Sequence, residues 1–187
     1  MDYSSLWLNW QPINEPPAFM SGICAAVHSV SGRAALRELQ EGFAAMAGRR
    51  PAELTAAAGA CLHIVETDAE GESYAFVREG DALRLEGGAR GLVFGAFDLL
   101  RGLALGRREF EGASAPRYSV RMLDHWDNMD GSIERGYAGN SFFFEGNRIL
   151  NGPRIRDYAR LLASCGLNGC CINNVNVKAE AVRLLTP

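Results

Sequence analysis

The chain has 187 residues, 48% of them hydrophobic and 22% charged, the profile of a globular rather than a disordered protein. Its 19 Lys and Arg stand against 22 Asp and Glu, and the net charge of −3 with no basic stripe argues against a nucleic-acid partner. No apolar run approaches the ~20 residues of a membrane span, and the N-terminus MDYSSLWLNWQPINEPP has neither the basic nor the apolar region of a signal peptide.

In chain order, Leu6–Trp10 (LWLNW) reads as a short strand and Gln11–Pro17 as a Pro-bearing turn. Gly22–Ser29 reads as a strand. Apolar residues at helical spacing predict a helix over Ser31–Met46, with a Ser near its start and Gly48 beyond its end. Cys61–Glu66 is a predicted strand, and Tyr74–Arg78 and Ala82–Glu86, flanking EGD, a predicted hairpin. An amphipathic helix is expected over Gly91–Leu105, with Val93, Phe94, Phe97, Leu100 and Leu103 on its apolar face. The glycines of Gly88–Gly95 lack the G-x-G-x-x-G spacing of a dinucleotide site, and tight turns with close helix-on-sheet packing explain them better.

Gly106–Pro116 (GRREFEGASAP) is polar, ends in Pro and is the expected domain boundary, giving domains 1–115 and 116–187. Beyond it come a strand Tyr118–Leu123, a long loop Asp124–Gly152, a helix Pro153–Ser164 with Pro in its first turn, and a strand Gly169–Asn173. That order is a βαβ unit whose strand ends are marked by two polar rims. A barrel of eight such units needs ~30 residues per unit, so the roughly 70 residues after the boundary suffice for about two. The chain therefore reads as a truncated sequence.

The five cysteines, Cys24, Cys61, Cys165, Cys170 and Cys171, form no CxxC and have no His at ligand spacing, which argues against a disulfide framework and a zinc site. Cys170 and Cys171 read as small buried hydrophobes. Cysteine usage and the missing signal predict a cytoplasmic setting.

The densest chemistry is in Arg121–Phe143, RMLDHWDNMDGSIERGYAGNSFF, where His125, Trp126, Asp127, Asn128 and Asp130 crowd at the C-terminal end of a strand. Ligands bind at that end in barrel and open α/β folds. A Trp beside His and Asp can hold a sugar, the indole face against the ring and the polar groups on hydroxyls; the alternative is a polar turn with a half-buried Trp. Asp127 is a candidate hydroxyl acceptor, His125 a donor or a brace, and Asn173 and Asn174 line the second rim. Asp130 and Glu134 fit turn formation or pairing with Arg135 better than catalysis, and Arg121 fits a structural ion pair.

With RIRDYARLLASCGLNGCCINNVNV (Arg154–Val177), this block resembles glycoside hydrolase family 67, the α-glucuronidases, and a looser likeness covers Leu6–Trp10 and Gly88–Leu103. The resemblance implies an α/β protein. An N-terminal domain of sheet and packed helices, like that of β-hexosaminidases, would precede the first one or two βα units of a (β/α)8 barrel. It implies removal of (4-O-methyl-)glucuronic acid from xylan-derived oligosaccharides by inversion, without a cofactor or a metal, and it allows a homodimer. It places Trp126 against the uronic acid. The acid and base would lie beyond Pro187, so no catalytic residue is expected in this chain and the fragment alone is expected to be inactive. Competing readings are another two-domain glycosidase, such as a β-N-acetylhexosaminidase, and a non-catalytic carbohydrate-binding module.

Overall fold

The computed structural model of the chain describes residues 8–172, which divide into two compact units, Leu8–Ser119 and a second whose described part is 120–172. The first unit holds strands β1 (Gly22–Ala26), β2 (Ala52–Leu54), β3 (Leu62–Glu66), β4 (Tyr74–Glu79), β5 (Ala82–Gly87) and β6 (Gly112–Ser114), with helices α1 (Val30–Ala47) and α2 (Ala89–Ala104). The strands form one six-stranded sheet in the order β2-β1-β3-β5-β4-β6. β1 runs parallel to β2 and β3, β3 runs parallel to β5, and β4 is antiparallel to both β5 and β6.

Register brings Ile23 beside Leu62, Leu62 beside Leu83, and Ile64 beside Leu85. Leu62, Ile64, Leu83 and Leu85 alternate with half-buried residues such as His63, so one face of the sheet is apolar. Leu39 and Phe43 of α1 and Leu92, Leu99 and Leu100 of α2 meet that face in a single core, each fully buried.

Helix α1 begins where the Ser29 hydroxyl accepts from the Gly32 N–H at 2.8 Å, and it ends at Gly48, whose φ of +68° is the left-handed conformation that glycine tolerates. Glu66, at the end of β3, completes the cap by accepting from the N–H groups of His28 (2.8 Å) and Ser29 (3.1 Å). Its side chain is only 2% exposed. Burial works to raise the Glu66 pKa, but the hydrogen bonds from the Ser29 hydroxyl and the two backbone N–H groups, with the nearby His28, outweigh it and hold the carboxyl below its ordinary value. A Cβ on Gly32 would collide with this carboxylate, so the cap requires glycine there.

Several expectations shift. Leu8–Trp10 are irregular, while Leu6 and Trp7 lie outside the described residues. Leu8 is buried and Trp10 packs on the core, which side chains achieve without strand pairing. β1 stops at Ala26 because Val27–Ser29 turn into the α1 cap. Phe97, Leu100 and Leu103 of the expected α2 face are buried, but that face also takes in Leu92, Ala96 and Leu99, and Val93 and Phe94 are only half-buried. Small residues decide this: a Cβ on Gly95 would come within 2.5 Å of Leu85, and one on Gly91 would strike the backbone at Ser73. The polar segment after α2 supplies β6, whose pairing with β4 includes a side-chain hydrogen bond between Ser114 and Tyr74 and needs no apolar side chains of its own.

The second unit contains β7 (Met122–Asp124), a hairpin of β8 (Phe144–Glu145) and β9 (Arg148–Ile149), α3 (Pro153–Ser164) and β10 (Gly169–Cys171). β7 and β10 pair in parallel, with Leu123 opposite Cys170, and α3 lies between them in sequence. The strand begins later than expected. Asn168 clamps Arg121 through both its Oδ1 and its backbone N–H, each at 2.9 Å, and pairing starts only after that clamp. Tyr118 and Val120 remain 64% and 68% exposed. The second predicted strand ends at Cys171, and Asn173 lies outside the described residues. Cys170 is half-buried and Cys171 exposed, contrary to the reading of both as buried. Successive strand residues point to opposite faces, so only one of two adjacent cysteines can share a side with Tyr158 of α3.

Candidate functional site

The His125 N–H donates to the Cys171 carbonyl at 2.9 Å, which carries the parallel pairing one residue past β7. Trp126 is therefore the first residue beyond the sheet. Its carbonyl accepts from the Glu134 N–H at 2.7 Å, and its indole N–H donates to Asp124 Oδ2 at 3.3 Å. Trp126 is nevertheless 47% exposed. An anchored backbone carrying a half-exposed aromatic side chain leaves apolar surface available to the apolar face of a sugar.

Asp127 is 3% exposed, and its Oδ2 accepts from the Ser141 hydroxyl and from the Phe142 N–H at 2.8 Å. Ser141 Oγ in turn accepts from the N–H groups of Phe143 (3.0 Å) and Phe144 (2.8 Å). Two side chains thus terminate three successive backbone donors, an arrangement that charge-assisted bonding strengthens. The expected hydroxyl acceptor is, in this structure, the bolt between the start and the return of the loop.

The span between them is also ordered. Asn128 Nδ2 donates to the Ser132 hydroxyl (2.9 Å) and the Glu134 carbonyl (2.8 Å). Asp130 Oδ1 accepts from the Ser132 N–H at 2.9 Å, the turn-forming role its position suggested. Glu134 sits at φ +54° and accepts from the Tyr137 hydroxyl at 2.9 Å. Arg121 donates from Nε to the Gly166 carbonyl at 2.6 Å, which ties the start of β7 to the end of α3.

His125 enters an aromatic cluster. Its ring meets Phe143 edge-on at 4.8 Å and Tyr158 at 5.4 Å, and Phe142 lies 4.9 Å from Tyr158. Arg154 covers the outer side of Phe142 with its guanidinium 3.9 Å from the ring centroid. The Tyr158 hydroxyl hydrogen-bonds His125 Nε2 at 2.5 Å. Burial, then the neighbouring Cys170 and Asp127, push the Tyr158 phenol above its ordinary pKa. Burial, then Cys171, does the same to the Cys170 thiol.

The structure brings His125, Trp126 and Asp127 together at one strand end, whereas Asn173 and Asn174 lie outside the described residues. Sequence reasoning missed Ser141 and Tyr158. The run NSFFF signals a buried return segment, and Tyr158 stands one turn before the buried Leu162 on α3. Among the described residues, no group of three or more His, Cys, Asp or Glu could hold a metal ion, and no helix is long and apolar enough to cross a membrane.

Residues 106–187 match the glycosyl hydrolase family 67 middle domain. A probable alpha-glucuronidase A of Aspergillus terreus is 35% identical over a 207-residue alignment that covers 97% of this chain. Over residues 106–187 the chain belongs to glycoside hydrolase family 67. The Aspergillus oryzae probable alpha-glucuronidase A is 47% identical over 103 residues, 54% of this chain. The chain spans about a quarter of the A. terreus relative, and the second alignment covers 12% of the A. oryzae protein. A family 115 4-O-methyl-alpha-glucuronidase with specificity for decorated arabinogalactans has a similar fold, with a TM-score of 0.50 and 15% identity over 80% of this chain and 25% of that one.

Proposed function

We propose that these 187 residues are the N-terminal portion of an α-glucuronidase that removes (4-O-methyl-)glucuronic acid from xylan-derived oligosaccharides, with β7 and β10 as the first strands of a (β/α)8 barrel. The observation that carries the reading is the half-exposed Trp126, anchored at a strand's C-terminal end in a segment of this family. Trp126 forms an apolar wall for the uronic acid ring, and His125 lies beside it as a hydroxyl partner. Asp127 serves the site by fixing the loop.

Hydrolysis with inversion needs an acid on the leaving oxygen and a base on the attacking water, roughly 6.5–9.5 Å apart. The residues around Trp126 supply recognition, and sequence outside this chain supplies both carboxylates. The test is to assay the complete natural polypeptide on reduced and unreduced aldouronic acids and to follow the released sugar by NMR. The reading expects β-glucuronic acid as the first product, with no turnover by the 187-residue chain alone. A first-formed α-anomer contradicts inversion, and turnover by the 187 residues alone contradicts the assignment of the carboxylates elsewhere.

A further inference from the structure

The loop and helix of the second unit meet at a contact that packing alone does not require. A Phe at position 158 would fill the same aromatic cluster with Phe142 and Phe143. Tyr158 instead places its hydroxyl on a ring nitrogen of His125, which Phe143 also holds edge-on. We propose that Tyr158 is a positioning residue for sugar recognition: its hydroxyl fixes the His125 ring through Nε2, leaving Nδ1 protonated as the donor to a sugar hydroxyl beside Trp126.

The direction of the bond follows from the two groups. A phenol is a stronger acid than a neutral imidazole N–H, and an imidazole nitrogen accepts better than a phenolic oxygen. The phenol therefore donates and Nε2 accepts, which leaves the ring proton on Nδ1. Asp127 and Cys170 are the titratable groups that face Tyr158, and burial with these neighbours keeps the phenol in its donating form. Phe143 and Tyr158 both meet the His125 ring edge-on, and with the bond at Nε2 they hold it before substrate arrives. Preorganised donors cost less to recruit on binding. The proposal rests on the α-glucuronidase reading for its substrate but not for its tautomer.

Two measurements test it. In the 187-residue chain, ring-nitrogen NMR of labelled histidine reads three residues, His28, His63 and His125, and His125→Gln assigns the third. Wild-type His125 is expected as the Nδ1-protonated tautomer, and Tyr158→Phe is expected to mix the two tautomers. An Nε2-protonated ring in the wild type, which needs no variant to observe, overturns the proposal, as does a spectrum unchanged by Tyr158→Phe.

In the complete polypeptide acting on aldouronic acids, Tyr158→Phe is expected to raise KM about tenfold, with a smaller change in kcat. The double variant with His125→Ala should be no worse than His125→Ala alone, because Tyr158 acts only through that ring. Effects that multiply independently, or a normal KM in Tyr158→Phe, overturn it. A wild-type polypeptide that shows the expected tautomer but no turnover contradicts the α-glucuronidase reading instead.

Discussion

The two units use similar sequence material to different ends. In the first, Leu62, Ile64, Leu83 and Leu85 are wholly buried, because a six-stranded sheet meets two helices. In the second, Met122 and Leu123 of β7 are 51% and 42% exposed, although their segment is as rich in β-formers. A strand's apolar residues are buried only when a second layer covers them, and among the described residues the β7–β10 pair has two strands and one helix. Order in the second unit comes from a small aromatic cluster of His125, Phe142, Phe143 and Tyr158 and, around it, from polar bolts: the Asp127–Ser141 pair, the Asn128 and Asp130 turns, and the Asn168 clamp. Hydrophobic burial builds the first unit, and directed hydrogen bonding shapes the rim of the second.

That contrast breaks most visibly under truncation of the two apolar sets. Leu99→Ala should cost ~2–5 kcal/mol, the usual loss at a fully buried leucine. Leu123→Ala, at a site already 42% exposed, should cost about 1 kcal/mol or less. Hydrogen exchange in each unit reads the two losses separately. Equal losses would mean that the second unit has a core comparable to the first.

The polar bolts give the next effect. Asp127→Ala leaves the Phe142 N–H and the Ser141 hydroxyl without their acceptor, a loss of ~1–3 kcal/mol for a buried hydrogen-bonding group. Amides 142–144 should exchange faster while those of β3 and β5 keep their protection. Unchanged exchange at 142–144 would remove Asp127 as the organiser of the loop.

The cap of α1 sharpens the comparison from the other side, as a polar device inside the hydrophobic unit. Ser29→Ala should cost ~1 kcal/mol, checked by urea denaturation. Glu66 has a folded pKa below its reference value of 4.5, so its stabilisation is complete above about that pH and is lost as pH falls through the lower folded value. The thermal midpoint of Glu66→Gln should lie below that of wild type at pH 7, and the gap should close in acid. A gap that stays constant with pH would contradict the capping role.

Much of the fold was legible because it is local. Ser29 and Gly48 bracket α1, and Pro153 and Gly166 bracket α3, whose bounds Pro153–Ser164 the sequence gives directly. Periodicity found Phe97, Leu100 and Leu103 on the buried face of α2 but not its centre, because it weighs large residues, whereas Gly91, Gly95 and Ala96 mark the side of closest approach. The rim was legible as a cluster, since His125, Trp126 and Asp127 are adjacent in sequence. Two of their partners were not. Ser141 and Tyr158 stand 14 and 33 residues away from the groups they bond, and no local pattern links such distant positions. β6 was hidden for a related reason: an edge strand that needs no apolar side chains leaves no apolar alternation to read.

The most direct test is Trp126→Ala in the complete polypeptide, with kcat/KM on aldouronic acids and the thermal midpoint measured on the same preparation. Because Trp126 is half-exposed on an anchored backbone, kcat/KM should fall about a hundredfold, at ~1.4 kcal/mol per tenfold, while the thermal midpoint changes little. A large fall in the midpoint with near-normal kcat/KM would place Trp126 in the fold rather than at the sugar and would contradict the account.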